Sequence, residues 1–336
     1  MVVGVLMVGV YAVKKTNFTL GGNISFTTSG ITGTISKGVI SNTAVVNNSN
    51  ADDLMPEITL SPNISESDNA SKFELWSGLD LNFNDAAEDV TIKFTITNTS
   101  EVSTEYISIG ALATSTTSTN AKVTVSPSAV TLAPANTAGQ ASSQEFTVTL
   151  SVKEKDTNAT IEDFNISLLM GLVDIKKESV EALGYTYSTN GTEATITDYT
   201  GTSETMFIPP YIKDGDTTYT VVSITNQTVS YRDIPVNVIT PSTMTSIGEV
   251  GFFSYGNLEN LFVSESIESI GGGAFSSCSI KSIILPSSIL SIQASAFMGS
   301  ELTDIYFKGT QEQWNAAVGA NDIGIDTSKV TIHYNY

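Results

Sequence analysis

Arginine, histidine and cysteine each occur once in these 336 residues, at Arg232, His333 and Cys278. A single cysteine excludes any intramolecular disulfide. One histidine and one cysteine cannot supply the three or four soft ligands that zinc takes. Cations are also scarce: 15 Lys and Arg stand against 35 Asp and Glu, for a formal net charge of −20. Binding a phosphate backbone needs clustered basic side chains, so no nucleic-acid partner is expected. Charged residues make up only 15% of the chain, and amphipathic helical patterns are almost missing. The one long apolar run, Met1 to Ala12, is too short to cross a bilayer core as a helix.

Hydroxyl side chains fill much of what remains, with Ser and Thr together supplying 86 of 336 residues. Thr, Val, Ile, Phe and Tyr recur in alternation, the pattern of half-buried strands, so a mainly β protein is expected. The acidity suits solubility outside a cell. Residues 1–12 read as a truncated signal-like segment: Val10-Tyr11-Ala12 suits a signal-peptidase site, but no basic region precedes it. A buried first strand is the alternative. Export to the cell surface or beyond is expected, in a bacterial setting where disulfides are dispensable. Ten Asn-x-Ser/Thr sequons follow from a composition rich in all three residues and carry no weight.

Residues 13–172 read as one β domain. Phe18, Leu20, Ile24, Phe26, Ile31, Ile35 and Val39 alternate between Gly-marked turns, and residues 47–72 resemble an exposed loop. Further strands are expected around Phe73 to Phe83, Val90 to Ile96, Val123 to Val125, Phe146 to Val152 and Phe164 to Met170. Short alternating strands with frequent turns describe an antiparallel sandwich. The run DVTIKFTITNTS and the later VTVSPSAVTLAPANTAGQASSQEFTVTLSV resemble immunoglobulin-like β-sandwich modules of bacterial surface proteins. Asn98 and Pro134 stand where that pattern has them, while Ala135-Asn136 replaces its turn glycine. Residues 173–183 read as a linker or short helix.

Residues 234–314 repeat. Phe252, Phe275 and Phe297 are 23 and 22 residues apart, and the same step relates Leu258, Ile280 and Leu302. It also relates Leu261, Ile283 and Ile305, then Val263, Leu285 and Phe307, and finally Ile247, Ile270, Ile292 and Trp314. Apolar positions at constant offsets with this period are the mark of a leucine-rich-repeat solenoid. The segments SIGGGAFSSCSIKSIILPSSILSIQASAF, YTYSTNGTEATITDYTG and DIYFKGTQEQWNAA, in their order, resemble the BspA-like leucine-rich-repeat family across residues 184–336. That resemblance implies a capped solenoid, and the spacing predicts about three coils. It also implies adhesion, or binding of host or matrix proteins.

Local chemistry is sparse. His333 sits in an alternating strand, and Cys278 at a turn where such repeats pack Cys inward. Asp80-x-Asn82-x-Asn84-Asp85 hints at a calcium loop, but its interleaved Leu81 and Phe83 read better as a strand, and no glycine supplies the bend. No cofactor is therefore expected, with Ca2+ as the alternative. No pair of carboxylates is nominated locally for glycoside hydrolysis. Tyr306 and Trp314 could stack on a sugar or peptide, although the register of Trp314 favours burial. The chain is thus expected to be a non-catalytic surface protein that presents Ser264, Glu265, Lys281, Ser282, Thr303 and Asp304 to an extracellular protein or glycan ligand. The alternative is a fibre or matrix subunit that self-associates by donating an N-terminal strand to a neighbour.

Overall fold

The computed structural model describes residues 17–19, 24–28, 31–40, 57–61, 70–83, 90–114, 117–119, 121–135, 137–152, 159–226 and 233–336. The signal-like segment 1–12 lies outside the described residues, as do the side chains of the calcium-like stretch. The chain divides into two compact units, one of residues 1–128 and 132–172, the other of 129–131 and 173–336.

The first unit is all β. Its strands begin with β1 (Asn17–Thr19), β2 (Ile24–Thr28), β3 (Ile31–Ile40), β4 (Glu57–Ser61), β5 (Ala70–Phe83) and β6 (Val90–Asn98). They continue with β7 (Glu105–Thr114), β8 (Thr117–Thr119), β9 (Ala121–Ser126), β11 (Ser143–Val152) and β12 (Ala159–Asp174), while three of the four residues of β10 (Ala129–Leu132) fall in the second unit. One sheet carries β1-β4-β5-β12-β7 in that order, and a second carries β2-β3-β6-β11-β9. The expected loop at 47–72 contains β4, whose Ile58 and Leu60 form too short an alternation to stand out between Pro56 and Pro62. β3 pairs within its own chain, with Ile35 opposite Ile96 on β6. Phe94 and Phe146 face each other across β6 and β11 with ring centroids 5.4 Å apart, both buried. Asn98 ends β6 because its buried amide satisfies the chain reversal around it: Nδ2 donates to the carbonyls of Glu105 and Leu132, and Oδ1 accepts from Ser100 N–H. A buried polar group is tolerable only when paired in this way.

The second unit opens with helix α1 (Lys177–Ala182), then the hairpin β13 (Tyr185–Asn190) and β14 (Glu193–Tyr199), closed by Gly191. After β15 (Thr205–Phe207) comes a second hairpin, β16 (Tyr211–Asp214) and β17 (Thr217–Ile224). From there the chain coils. The strands are β18 (Asn237–Ile239), β19 (Ser246–Ile247), β20 (Asn260–Phe262), β21 (Ser269–Ile270), β22 (Ser282–Leu285), β23 (Ser291–Ile292) and β24 (Asp304–Phe307). Helix α2 (Gln311–Val318) and β25 (Thr331–His333) follow. Parallel rungs β14-β17-β19-β21-β23 make one stack. The other stack has six rungs in two three-stranded parallel sheets, β15-β18-β20 and β22-β24-β25, with β20 in contact with β22.

The expectation of about three coils is therefore too low, since the solenoid makes about six turns. Phe207, Ile239 and Phe262 are in register across β15, β18 and β20, separated by 32 and 23 residues, and Ile284, Tyr306 and His333 across β22, β24 and β25, separated by 22 and 27. The β16–β17 hairpin lengthens the first step and α2 the last, so the outer coils drop out of the 22-residue register.

Inside the coils the predicted registers become columns of buried side chains. Phe252, Phe275 and Phe297 stack at 5.7 and 5.4 Å, and Ile247, Ile270 and Ile292 lie beside them, fully buried. The backbone repeats too: Val250, Gly273 and Ser295 share a positive φ, and so do Ser254, Ser277 and Gly299. Cys278 is buried and its thiol donates to the Phe252 carbonyl, while burial pushes it up to about 12. It is a packing residue held as the neutral thiol. α2 closes the β23 end of the first stack, with a capping box at Thr310 and Gln313. Its Trp314 meets Phe307 edge-on at 5.5 Å and is buried, so it offers no platform to a ligand.

Candidate binding surface of the solenoid

In each rung an inward apolar residue is preceded by a polar one on the opposite face, because successive strand side chains alternate. On the first stack the outward column is Thr195, Ser223, Ser246, Ser269 and Ser291, and the Ser246 and Ser223 hydroxyls bond at 2.8 Å. On the second stack Thr205, Asn237 and Asn260 are linked through their side chains. Ser282, Asp304 and Thr331 occupy the equivalent column over the last three rungs.

Five of the six predicted contact residues are at least partly exposed. Lys281, Ser282, Thr303 and Asp304 gather at one end of β22 and β24, where the Lys281 carbonyl accepts from the amide and hydroxyl of Thr303. Glu265 lies in the loop after β20 and pairs with Lys308, just beyond β24. Ser264 is a correction: it is only 1% exposed. Its amide donates to Thr240 Oγ1 and its hydroxyl to the Pro241 carbonyl, so it ties neighbouring coils together and cannot meet a ligand. A Ser next to an exposed Glu reads as surface in a sequence, and nothing local reveals that its hydroxyl turns inward.

The sequence reading missed what surrounds Asp304. The His333 ring nitrogen Nε2 lies 2.7 Å from Asp304 Oδ1, while the Thr303 hydroxyl donates to Oδ2 at 2.8 Å. Tyr306 stacks on the His333 imidazole with centroids 4.5 Å apart, and Tyr336 tilts against Tyr306 at the same distance. Side-chain exposures of 39% for His333 and 32% for Asp304 leave both reachable from solvent. The only available signal was the in-register pairing of Asp304 with Thr331, two residues before His333, and α2 hides that pairing.

The His333 hydrogen bond holds the Asp304 carboxyl below its ordinary value, the Thr303 hydroxyl adds to this, and partial burial opposes it. Burial pushes the Tyr336 phenol up to about 12, and raises Tyr306 with help from the Asp304 charge. Both phenols therefore remain neutral donors at physiological pH. The surface thus combines a fixed carboxylate, an imidazole and two phenols on one parallel sheet. Among the described residues no group of three or more His, Cys, Asp or Glu is placed to hold a metal ion. No described helix is long and apolar enough to cross a membrane.

The lowered carboxyl sets a pH dependence. A folded-state value below the unfolded one stabilises above the unfolded pKa, and that contribution is lost as pH falls through the folded value. Asp326, held down to about 2 chiefly by the Ser328 hydroxyl and then by Lys329, acts in the same direction. Comparing Asp304→Asn with the parent chain isolates the first effect. The variant is expected to melt lower at pH 6 by a few degrees at most, as an exposed pair gives about 0.2–1 kcal/mol. The difference should shrink below pH 4 and vanish once Asp304 is protonated in the parent, measured by circular dichroism melts.

Residues 218–330 match the family described as BspA type Leucine rich repeat region, in six copies. Over those residues the solenoid is similar to BspA-type leucine-rich repeat regions. The matched span takes in the rungs from β18 to β24. Solved structures similar to this chain include a leucine-rich repeat protein of Bacteroides capillosus, 27% identical over 38% of this chain and 96% of that one, TM-score 0.35. A leucine-rich repeat protein of Bacteroides ovatus is 25% identical over 45% of this chain and 36% of that one, TM-score 0.32. A leucine rich cell surface protein of Faecalibacterium prausnitzii is 20% identical over 45% of this chain and 53% of that one, TM-score 0.28. The chain thus spans about a third to a half of the length of the latter two. No curated protein sequence matches this chain.

Proposed function

We propose that the chain is an extracellular or cell-surface binding protein with no catalytic chemistry. Residues 13–172 serve as an immunoglobulin-like sandwich that acts as spacer or attachment unit. Residues 184–336, the BspA-type region with its caps, present the β22-β24-β25 face to an extracellular protein or glycan. The observation that carries this reading is the Asp304–His333–Tyr306 cluster, a polar and aromatic group left open on a rigid sheet. Its residues are locked by stacking and hydrogen bonds, which lowers the ordering cost of binding. Five partly exposed residues of the expected contact set, Glu265, Lys281, Ser282, Thr303 and Asp304, border this cluster or lie in the loops beside it.

The test is the full chain on a glycan and matrix-protein array, followed by titration of whatever it captures. Specific binding is expected, weakened by about tenfold or more in Tyr306→Ala, since such aromatic anchors dominate interface energetics. Asp304→Asn, which keeps the shape of the side chain, should weaken the same interaction. Absence of any binding above background would overturn the reading, as would binding that both substitutions leave intact.

A further inference from the structure

Resting on the reading of the β22-β24-β25 face as the binding surface, its two outward columns define which partner it takes. Ile283, Leu285, Ile305 and Phe307 point into the core, so the residues alternating with them face out. Ile284, Tyr306 and His333 are in register in one outward column, and Ser282, Asp304 and Thr331 in the other. The two columns lie two residues apart along each strand, about 7 Å. The hydrogen bond between His333 and Asp304 crosses from one column to the other. Aromatic surface and a carboxylate are therefore fixed side by side.

Asp304 is held in place without being used up. An ionised carboxylate only accepts, so His333 Nε2 donates to Oδ1 at 2.7 Å, and the Thr303 hydroxyl donates to Oδ2. Each oxygen takes about two hydrogen bonds, which leaves one position on each for a partner. Beside it Tyr306 and His333 stack with ring planes 11° apart, Tyr336 tilts against Tyr306 at 45°, and all three rings are partly exposed. Charge then selects the ligand. Over residues 184–336 fifteen Asp and Glu stand against five Lys and Arg, and on this face Lys308 is already paired with Glu265. An anion would meet the Asp304 charge, and a neutral glycan gains nothing from it. A basic side chain answers both columns, because its methylene stem lies on apolar surface while its charge reaches the carboxylate. Aromatic faces also attract cations. Arginine fits better than lysine, since its planar fork matches a carboxylate and stacks on rings. The face is open, so a small ligand would leave most of its surface in water, whereas a protein segment can lie along the rungs.

We propose that the partner of this face is a protein presenting an arginine-bearing segment, with a guanidinium paired to Asp304 and its stem against the Tyr306, His333 and Tyr336 rings. Lys281 is then an opposing charge. It is exposed on the neighbouring rung, where its carbonyl accepts from the Thr303 and Asp304 amides.

The full chain would be titrated by calorimetry with an alternating arginine–serine octapeptide and with its glutamate–serine counterpart. Saturable binding of the arginine peptide alone is expected, weakening as salt approaches about 1 M, where the Debye length is about 3 Å. Asp304→Asn should weaken it by about threefold or more and Tyr306→Ala by about tenfold, while Lys281→Gln should strengthen it by about twofold. Glu193→Gln removes the same charge from the exposed tip of the β13–β14 hairpin and should leave the affinity unchanged. Tyr306→Ala alters no charge, so it separates this site from general attraction to an acidic chain. Should that variant fail to fold, the contrast between Asp304→Asn and Glu193→Gln decides. No saturable binding of the arginine peptide overturns the proposal, as does equal weakening by Asp304→Asn and Glu193→Gln, or weaker binding in Lys281→Gln. If the array captures neutral glycans or acidic proteins through Tyr306 and Asp304 while the arginine peptide stays unbound, the partner assignment falls and the binding face stands. Absence of both array capture and peptide binding removes both.

Discussion

Phe275→Ala is expected to destabilise the solenoid by about 3–5 kcal/mol, the cost of truncating a large buried aromatic side chain. Phe275 is fully buried and stands between Phe252 and Phe297, so its removal opens a void that neither neighbouring ring can fill without leaving its own column. Its amide is also bonded to the Ala296 carbonyl of the next coil, which limits how far the backbone can collapse inward. A domain is stable by only about 5–15 kcal/mol, so the loss would consume much of the total. Urea unfolding followed by circular dichroism would report it as a lower midpoint. Leu290→Ala is the matching control: Leu290 is 70% exposed and its truncation should change stability by less than about 0.5 kcal/mol.

Gly184→Ala should be comparably damaging, by a different mechanism. Gly184 follows α1 and turns the chain into β13 at a φ of +92°, a conformation that costs an L-residue about 1–2 kcal/mol. A Cβ there would also sit 2.4 Å from the amide nitrogen of Gly201 and 2.8 Å from its Cα. Those are backbone atoms and cannot swing aside. Gly201 is equally confined, because its own Cβ would approach the Leu183 carbonyl at 2.4 Å. Adding the roughly 1–3 kcal/mol of an overpacked site gives a total of about 2–5 kcal/mol. The chain holds its cap through Thr200 N–H donating to the Gly184 carbonyl, so loss of amide protection at Thr200 in hydrogen exchange would locate the damage.

The middle of the solenoid was legible because its packing is periodic and packing is what apolar spacing records. Phe252, Leu258, Leu261, Val263 and Ile247, with their equivalents one and two coils later, are all buried as their registers predict. The ends were not legible, since a hairpin and a helix inserted between rungs preserve the stacking while destroying the spacing. The same insertion separated His333 from Asp304 by 29 residues and concealed their pairing. Ser264 was misread for a separate reason. Polar residues face water by default, and only the coil-to-coil geometry shows that this hydroxyl turns inward to the Pro241 carbonyl of the preceding coil.

Rungs in a solenoid touch only their neighbours, so stability passes along the array one interface at a time. β25 has β24 as its sheet neighbour and is three residues long, and His333 is its last residue. The candidate binding cluster therefore straddles a terminal rung, supported by a strand on one side only, and end rungs open more easily than the whole fold. Any partner gripping Asp304 and His333 would also be gripping the end of the ladder. Recognition and the fastening of the terminal coil become one thermodynamic event, so that occupancy of the surface and resistance to fraying rise and fall together.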